Sequence, residues 1–304
     1  MITPIRWPSG LPARRRRQVA AALIAICALL LAACGAADEE PAAASDPGTG
    51  HLHGLGVDPA DGTVYAAGHL GVFRLADSKA IRVADHYQDT MGFTITGPRN
   101  FLASGHPSPT DRGATSPHLG LIRSTDAGNT WTTVSADGEA DFHSLQQVGE
   151  VLYGFDSQTS RVWVSDDRGS TWDRRAQMPV GDLAGHVSEP QQVWATTAEG
   201  LQVSDDGGRT FRVVPDSPAL AAIDKPAAGV LIALGSDGQV LRSVDGGSWT
   251  ASGRLPEGAE PTVLSAVSAE HLLAADAADV VYESKNSGRS WAVLYRPSSN
   301  ANNH

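Results

Sequence analysis

Cysteine is scarce in this chain of 304 residues, which contains only 2. A small disulfide-stapled scaffold is therefore excluded. Aromatic residues make up just 6%, so aliphatic packing must supply most of the core. Basic residues are also in deficit, with 23 Lys+Arg against 34 Asp+Glu and a formal net charge of -11. That balance opposes a phosphate backbone, which rules against a nucleic-acid partner, and gives no general attraction to anionic lipid. What the chain does have is 41% hydrophobic residues, 32 Gly and 18 Pro. This composition suits a folded, loop-rich protein and excludes collagen-like, coiled-coil and largely disordered chains.

Arg14, Arg15, Arg16 and Arg17 precede an apolar run from Val19 to Ala33. A charged n-region followed by a short h-region is an export signal, and the run is too short for a comfortable transmembrane helix. It ends Leu31-Ala32-Ala33-Cys34-Gly35, which resembles the lipobox of bacterial lipoproteins. The resemblance implies cleavage before Cys34 and a diacylglyceryl group on its sulfur, anchoring the chain to the cell membrane on the side facing away from the cytoplasm. Loss of residues 1–33, the signal peptide, removes five arginines and no acid, leaving 18 basic against 34 acidic residues and a net charge of -16. Residues 34–50 are rich in Ala, Asp, Glu, Pro and Gly without apolar periodicity, as in a flexible tether.

Five later segments share one skeleton: Ser124 to Trp131, Ser165 to Trp172, Ser204 to Phe211, Ser243 to Trp249 and Ser284 to Trp291. They resemble the Asp-box, or BNR, repeat, S-x-D-x-G-x-T-W. Counted between Asp126, Asp167, Asp206, Asp245 and Asn286, the spacings are 41, 39, 39 and 41. The fourth copy lacks one residue before its Trp, and the fifth has Asn286 and Ser290 for Asp and Thr, so these two turns are expected to be looser. An Asp carboxylate accepts backbone N–H groups in a tight turn, and Gly two residues later takes positive φ. Apolar-alternating runs flank each copy, and forty residues hold four short strands, the size of a propeller blade. Residues 51–84 form a further unit without a good box, in which Arg74 and Asp77 align with Arg123 and Asp126. The expectation is an all-β, six-bladed β-propeller over residues 51–297. Its blades fall at 51–85, 86–136, 137–178, 179–216, 217–256 and 257–297, with an insertion from Gly105 to His118. Seven blades are the alternative, and 298–304 read as a frayed tail containing His304.

In a four-stranded antiparallel blade, the start of the innermost strand A and the end of strand B share one face, and the repeat turn between C and D lies on the other. Strand A starts at His51-Leu52-His53-Gly54, Asp89-Thr90-Met91-Gly92, Asp141-Phe142-His143-Ser144 and Asp182-Leu183-Ala184-Gly185. The ends of two B strands add His69 and His106. His51, His53, His69, Met91, His106 and His143 thus converge on one face as candidate metal ligands. Neutral imidazoles with one thioether suit copper or zinc, and Asp89 and Asp141 stand ready to orient ligand imidazoles from behind. His118, His186 and His271 receive no role.

Proteins built on Asp-box propellers include sialidases and other glycoside hydrolases, photosystem assembly factors and sorting receptors that bind without catalysis. The HxHG segment at His51, the GFTITGP segment at Gly92, the ASGHP segment at Ala103 and the DFH segment at Asp141 resemble actinobacterial lipoproteins classed as sialidase-like, glycosyl hydrolase-like or BNR-repeat proteins. The F/Y-R-I-P segment of sialidases is missing, and Tyr65, Tyr87, Tyr153, Tyr282 and Tyr295 have no evident Glu partner. The leading expectation is a binding or assembly protein that takes a small ligand, a metal or a protein partner on its histidine-bearing face. The alternative is a glycoside hydrolase using two of Asp89, Asp141, Asp182 and Glu189 on that face.

Overall fold

A computed structural model describes residues 48–298. The signal peptide, Cys34, most of the expected tether and nearly all of the tail lie outside them. Blade 1 comprises Leu52–Val57, Val64–Gly68, Gly71–Ala76 and Lys79–Arg82 (β1–β4), and blade 2 comprises Asp89–Gly97, Asn100–His106, Leu121–Ser124 and Thr132–Ser135 (β5–β8). Blade 3 comprises Phe142–Val148, Val151–Asp156, Arg161–Ser165 and Asp173–Gln177 (β9–β12), and blade 4 comprises Asp182–Gly185, Val193–Thr197, Gly200–Ser204 and Arg212–Val213 (β13–β16). Blade 5 comprises Leu220–Ala227, Val230–Gly235, Gln239–Ser243 and Thr250–Arg254 (β17–β20), and blade 6 comprises Pro261–Ala266, Leu272–Asp276, Val281–Ser284 and Ala292–Tyr295 (β21–β24). Each blade is one antiparallel sheet of four consecutive strands, so the molecule is a six-bladed β-propeller and the seven-bladed alternative is excluded. Every blade falls within its expected range.

The second strand of a blade is buried on both faces, and its sequence shows why. Leu272-Leu273-Ala274-Ala275 in β22 is an unbroken apolar run, because Leu272 and Ala274 pack toward blade 5 while Leu273 and Ala275 pack toward blade 1. The strand's period of two sends alternate side chains to opposite neighbours. The core is therefore six layers between blades. The ring closes through one of them, where Leu52, Phe73 and Leu75 of blade 1 meet Val281 and Tyr295 of blade 6. Among the described residues no strand is exchanged at the closure.

At least one side-chain hydrogen bond also crosses each junction at an inner strand or its loops. In ring order the donors and acceptors are Arg99 N to Asp58 Oδ1, Phe142 N to Ser104 Oγ, Leu183 N to Ser144 Oγ, Ile223 N to Asp182 Oδ2, Ala266 N to Asp224 Oδ2 and Leu52 N to Asp279 Oδ1. Residues 48–50 pack with blade 1, Thr49 being buried and its carbonyl accepting from Leu70 N, so the folded ring begins ahead of His51.

The repeat turns sit between third and fourth strands. In the first, Asp126 Oδ1 accepts from Thr130 N at 2.8 Å, Oδ2 accepts from the Thr130 hydroxyl at 2.7 Å, and Ser124 Oγ accepts from Gly128 N at 2.8 Å. The fifth turn preserves this pattern, with Asn286 Oδ1 accepting from Ser290 N and Asn286 Nδ2 donating to Ser290 Oγ. The fourth lacks the bond from a hydroxyl beyond the turn glycine, its Asp245 accepting from the Gly247 and Ser248 amides and the Ser243 hydroxyl. The turns fasten to the outer strand of the preceding blade: Ala176 N donates to Gly208 O, Ser252 Oγ to Ser287 O and Trp172 Nε1 to Ser135 Oγ. Replacing Asp126 with alanine should lower stability by about 1 kcal/mol, a thermal midpoint about 2–4 °C lower, as for other lost side-chain caps of backbone N–H groups. Metal content should not change, and a drop in it would contradict the purely structural role of this turn.

Candidate metal centre at the ring mouth

The ladder between first and second strands breaks at equivalent places in blades 1 to 3. His53 stands unpaired between Leu52 and Gly54, Met91 between Thr90 and Gly92, and His143 between Phe142 and Ser144. A bulged residue leaves the pleat and its side chain is re-aimed. His53 and His143 consequently line the mouth of a central cavity of about 530 Å3, whose wall includes inner-strand residues of all six blades. His69 and His106 each follow a glycine at the end of a second strand. A Cβ on Gly68 would collide with His51 O, and one on Gly105, where φ is +135°, would collide with Asp89 O. Glycine there lets the two strands converge and delivers both imidazoles to the mouth.

Two groups of possible ligand atoms result. Those of His53, His69 and Asp89 lie within 4.8 Å of one another, as do those of His106, His118 and Asp141. The rings of His53 and His69 stack with centroids 4.7 Å apart, and those of His106 and His118 lie 5.5 Å apart. His106 Nδ1 is 3.1 Å from Asp89 Oδ2, and its Nε2 is 3.5 Å from Asp141 Oδ2. Asp141 Oδ2 also accepts from His143 Nε2 at 2.8 Å and from the Ser157 hydroxyl at 2.7 Å.

The electrostatics suit a cation. Burial, reinforced by the neighbouring His69, His51 and His143, pushes the His53 imidazole down to about 3, so it is neutral with a lone pair to offer. Burial alone would raise the Asp141 carboxyl, but bonds from His143 and Ser157 and the charges of His143 and His106 outweigh it and hold the group at about 2. Among the described residues, His53 Nε2, Asp89 Oδ1, His118 Nδ1 and Asp141 Oδ1 are buried polar atoms with no hydrogen-bond partner. All four belong to the two groups. Such orphans are costly, and their concentration at one place calls for a ligand.

The structure redistributes the residues singled out in the sequence. Asp89 and Asp141, expected behind the imidazoles, stand among the possible ligands themselves. His51 turns to blade 6, its Nδ1 3.3 Å from Asp279 Oδ1. His143 is held by Asp141, and Met91 occupies its bulge while both groups are complete without it. His118 was missed. It ends the insertion, fixed where Ser116 Oγ accepts from His118 N and donates to His118 O, and Gly138 N donates to the same carbonyl. A histidine closing the one long insertion beside the His106 strand was the available signal.

Two acids expected on this face have other duties. Glu189 lies in the connection between β13 and β14, on the opposite face, and pairs with the buried Lys225 ammonium. A first-to-second-strand connection leaves from the far end of strand A, which is why it cannot reach the mouth. Asp182 lines the cavity, but its Oδ1 accepts from Leu183 N and its Oδ2 from Ile223 N across the junction.

Fold and site together define a six-bladed propeller with a mouth of imidazoles and carboxylates. No family model matches the sequence, and no curated protein matches it. Solved structures do resemble it. A GH74 enzyme of Niastella koreensis has a TM-score of 0.54 at 19% identity over 81% of this chain and 45% of that one. A GH74 xyloglucanase of Xanthomonas campestris has a TM-score of 0.53 at 18% identity, with the same two coverages of 81% and 45%. YCF48 bound to D1 peptide has a TM-score of 0.51 at 14% identity over 81% of this chain and 82% of that one. The chain spans less than half the length of the two GH74 enzymes, and at such identities the likeness establishes the propeller fold alone.

Proposed function

We propose that this chain is a lipid-anchored, extracytoplasmic propeller that binds a transition metal, copper or zinc, at its mouth and acts as a binding or assembly protein. The observation that carries this reading is the set of four buried orphan atoms on His53, Asp89, His118 and Asp141, gathered in two groups of potential ligands. Neutral imidazole with carboxylate is a donor set that zinc and copper(II) accept. When bound, the metal would supply a fixed positive charge and an exchangeable position for a ligand. The protein's own contribution is to hold the His53 imidazole neutral, keep Asp141 ionised and close the rear of the site with packed strands. Anchoring rests on the signal and Cys34, and the likeness to YCF48, solved bound to D1 peptide, is in keeping with a propeller that binds a partner.

The hydrolase reading is weaker at this site. A glycosidase needs one carboxyl that carries a proton near neutrality; Asp141 stays ionised, the imidazole of His106 stands between it and Asp89, and Asp182, pushed up to about 7 by burial, is occupied by the Leu183 and Ile223 amides. Untagged protein exposed to copper or zinc, freed of excess ion and assayed by elemental analysis should retain metal. A variant with both His53→Ala and His118→Ala should retain none. Metal-free wild type would overturn the reading, and sugar release from xyloglucan, lost on changing a single carboxylate, would favour the hydrolase instead.

A further inference from the structure

We infer that the mouth holds two metal ions joined through Asp89 and His106; this rests on the metal-binding reading above. One ion falls to His53, His69 and Asp89, the other to His106, His118 and Asp141, since each trio brings its ligand atoms within 4.8 Å. Ligands on a tetrahedral zinc stand about 3.3 Å apart, given bonds of about 2.0 Å. Small side-chain rotations close each trio.

A single shared ion is inconsistent with the geometry of His106. Its Nδ1 faces Asp89 Oδ2 at 3.1 Å and its Nε2 faces Asp141 Oδ2 at 3.5 Å. The two nitrogens of an imidazole point away from each other, so a metal on Nε2 sits on the Asp141 side of the ring, opposite the side that faces Asp89 of the first trio. Asp89 is divided in the same way. Its Oδ2 holds the His106 N–H, while Oδ1, buried and without a partner, is left for the first ion. Asp141 repeats the arrangement, with Oδ2 taken by His143 and Ser157 and Oδ1 buried and free for the second ion.

The result is a relay: first ion, Asp89 carboxylate, His106 imidazole, second ion. The bond to Asp89 places the His106 proton on Nδ1 and leaves the Nε2 lone pair for metal, as carboxylates behind metal-binding histidines generally do. Here the orienting carboxylate is itself a ligand of the neighbouring ion. Anything that removes Asp89 charge should therefore be felt at both sites.

The test uses the full-length chain and zinc alone, with bound metal counted by elemental analysis after equilibrium dialysis and circular dichroism confirming that each variant is folded. Wild type should bind two zinc ions per chain. His69→Ala should keep one, held by the second trio, and His118→Ala should keep one, held by the first. Asp89→Asn should lose the first ion and bind the second about 10–100-fold more weakly, the usual effect of deleting a ligand's orienting partner. One ion per wild-type chain, or loss of all zinc from either single histidine variant, would overturn the two-ion arrangement while leaving metal binding intact. An unchanged second site in Asp89→Asn would overturn the relay, and no zinc in wild type would overturn metal binding itself.

Discussion

Asp141→Ala should lower stability by about 3–5 kcal/mol, the usual effect of removing one member of a buried charged network. At about 2–4 °C per kcal/mol for a domain of this size, the thermal midpoint falls by roughly 10 °C. The residue is only 1% exposed, and two donors, His143 Nε2 and the Ser157 hydroxyl, converge on one of its oxygens. Alanine leaves both the Ser157 hydroxyl and the His143 N–H without their acceptor. The same change removes a proposed ligand, so zinc or copper retention should fall with it. Asp141→Asn separates the two effects. It restores one acceptor and the volume without the charge, and should recover part of the stability but not the metal. Thermal unfolding with parallel elemental analysis reads both, and a midpoint shift below about 2 °C for the alanine variant would show that the network contributes little.

Asp182→Asn should change how stability depends on pH. Burial in the cavity wall, assisted by nearby Asp224, pushes the Asp182 carboxyl up to about 7, although the Ile223 and Leu183 amides and the Ser144 hydroxyl pull the other way. Between about pH 4 and pH 7 the folded protein keeps a proton that the unfolded chain has released. Stability from this group is present at low pH and is lost as pH rises through that window. Asp224, pushed up to about 6 by burial, acts in the same direction over a narrower range. Discounted for water in the cavity, the Asp182 contribution is about 2 kcal/mol. Asparagine cannot titrate and gives up one accepted N–H. It should therefore be less stable than wild type by about 1 kcal/mol at pH 4.5 and should draw level or pass it at pH 8. Urea unfolding at the two pH values measures this, and a difference that does not move with pH would show that Asp182 is charged in the folded state throughout. Metal retention should be untouched, because Asp182 serves the junction between blades 4 and 5.

These two aspartates show where sequence reading succeeded and where it stopped. Aligning Asp141-Phe142-His143-Ser144 with His51-Leu52-His53-Gly54 placed His53 and His143 correctly on one face, because that depends only on strand direction and period. The same alignment offered Asp182 as a counterpart of Asp141, yet Asp182 is a blade latch and Asp141 stands among the clustered histidines of the mouth. Which hydrogen-bond donors meet a carboxylate is a matter of a few ångströms between blades, and no local pattern encodes it. Glu189 failed more simply, for it lies in a loop leaving the opposite end of its strand.

The choice of six blades over seven waited for the structure. By itself the sequence determined the repeat of about forty residues, the approximate limits of the blades, the side bearing the histidines and the acidic balance. All of these follow from periodicity and local turn chemistry, which act over a few neighbouring residues. Only the tertiary structure decided that His118 comes beside His106, that Asp89 and Asp141 stand among the possible ligands, that His51 pairs with Asp279 while its ring stays 5.2 Å from that of His53, and that the possible ligand atoms divide into two groups. Those outcomes depend on bulges, on glycines that admit close strand approach and on the angle between neighbouring blades, distances set only once the ring has closed.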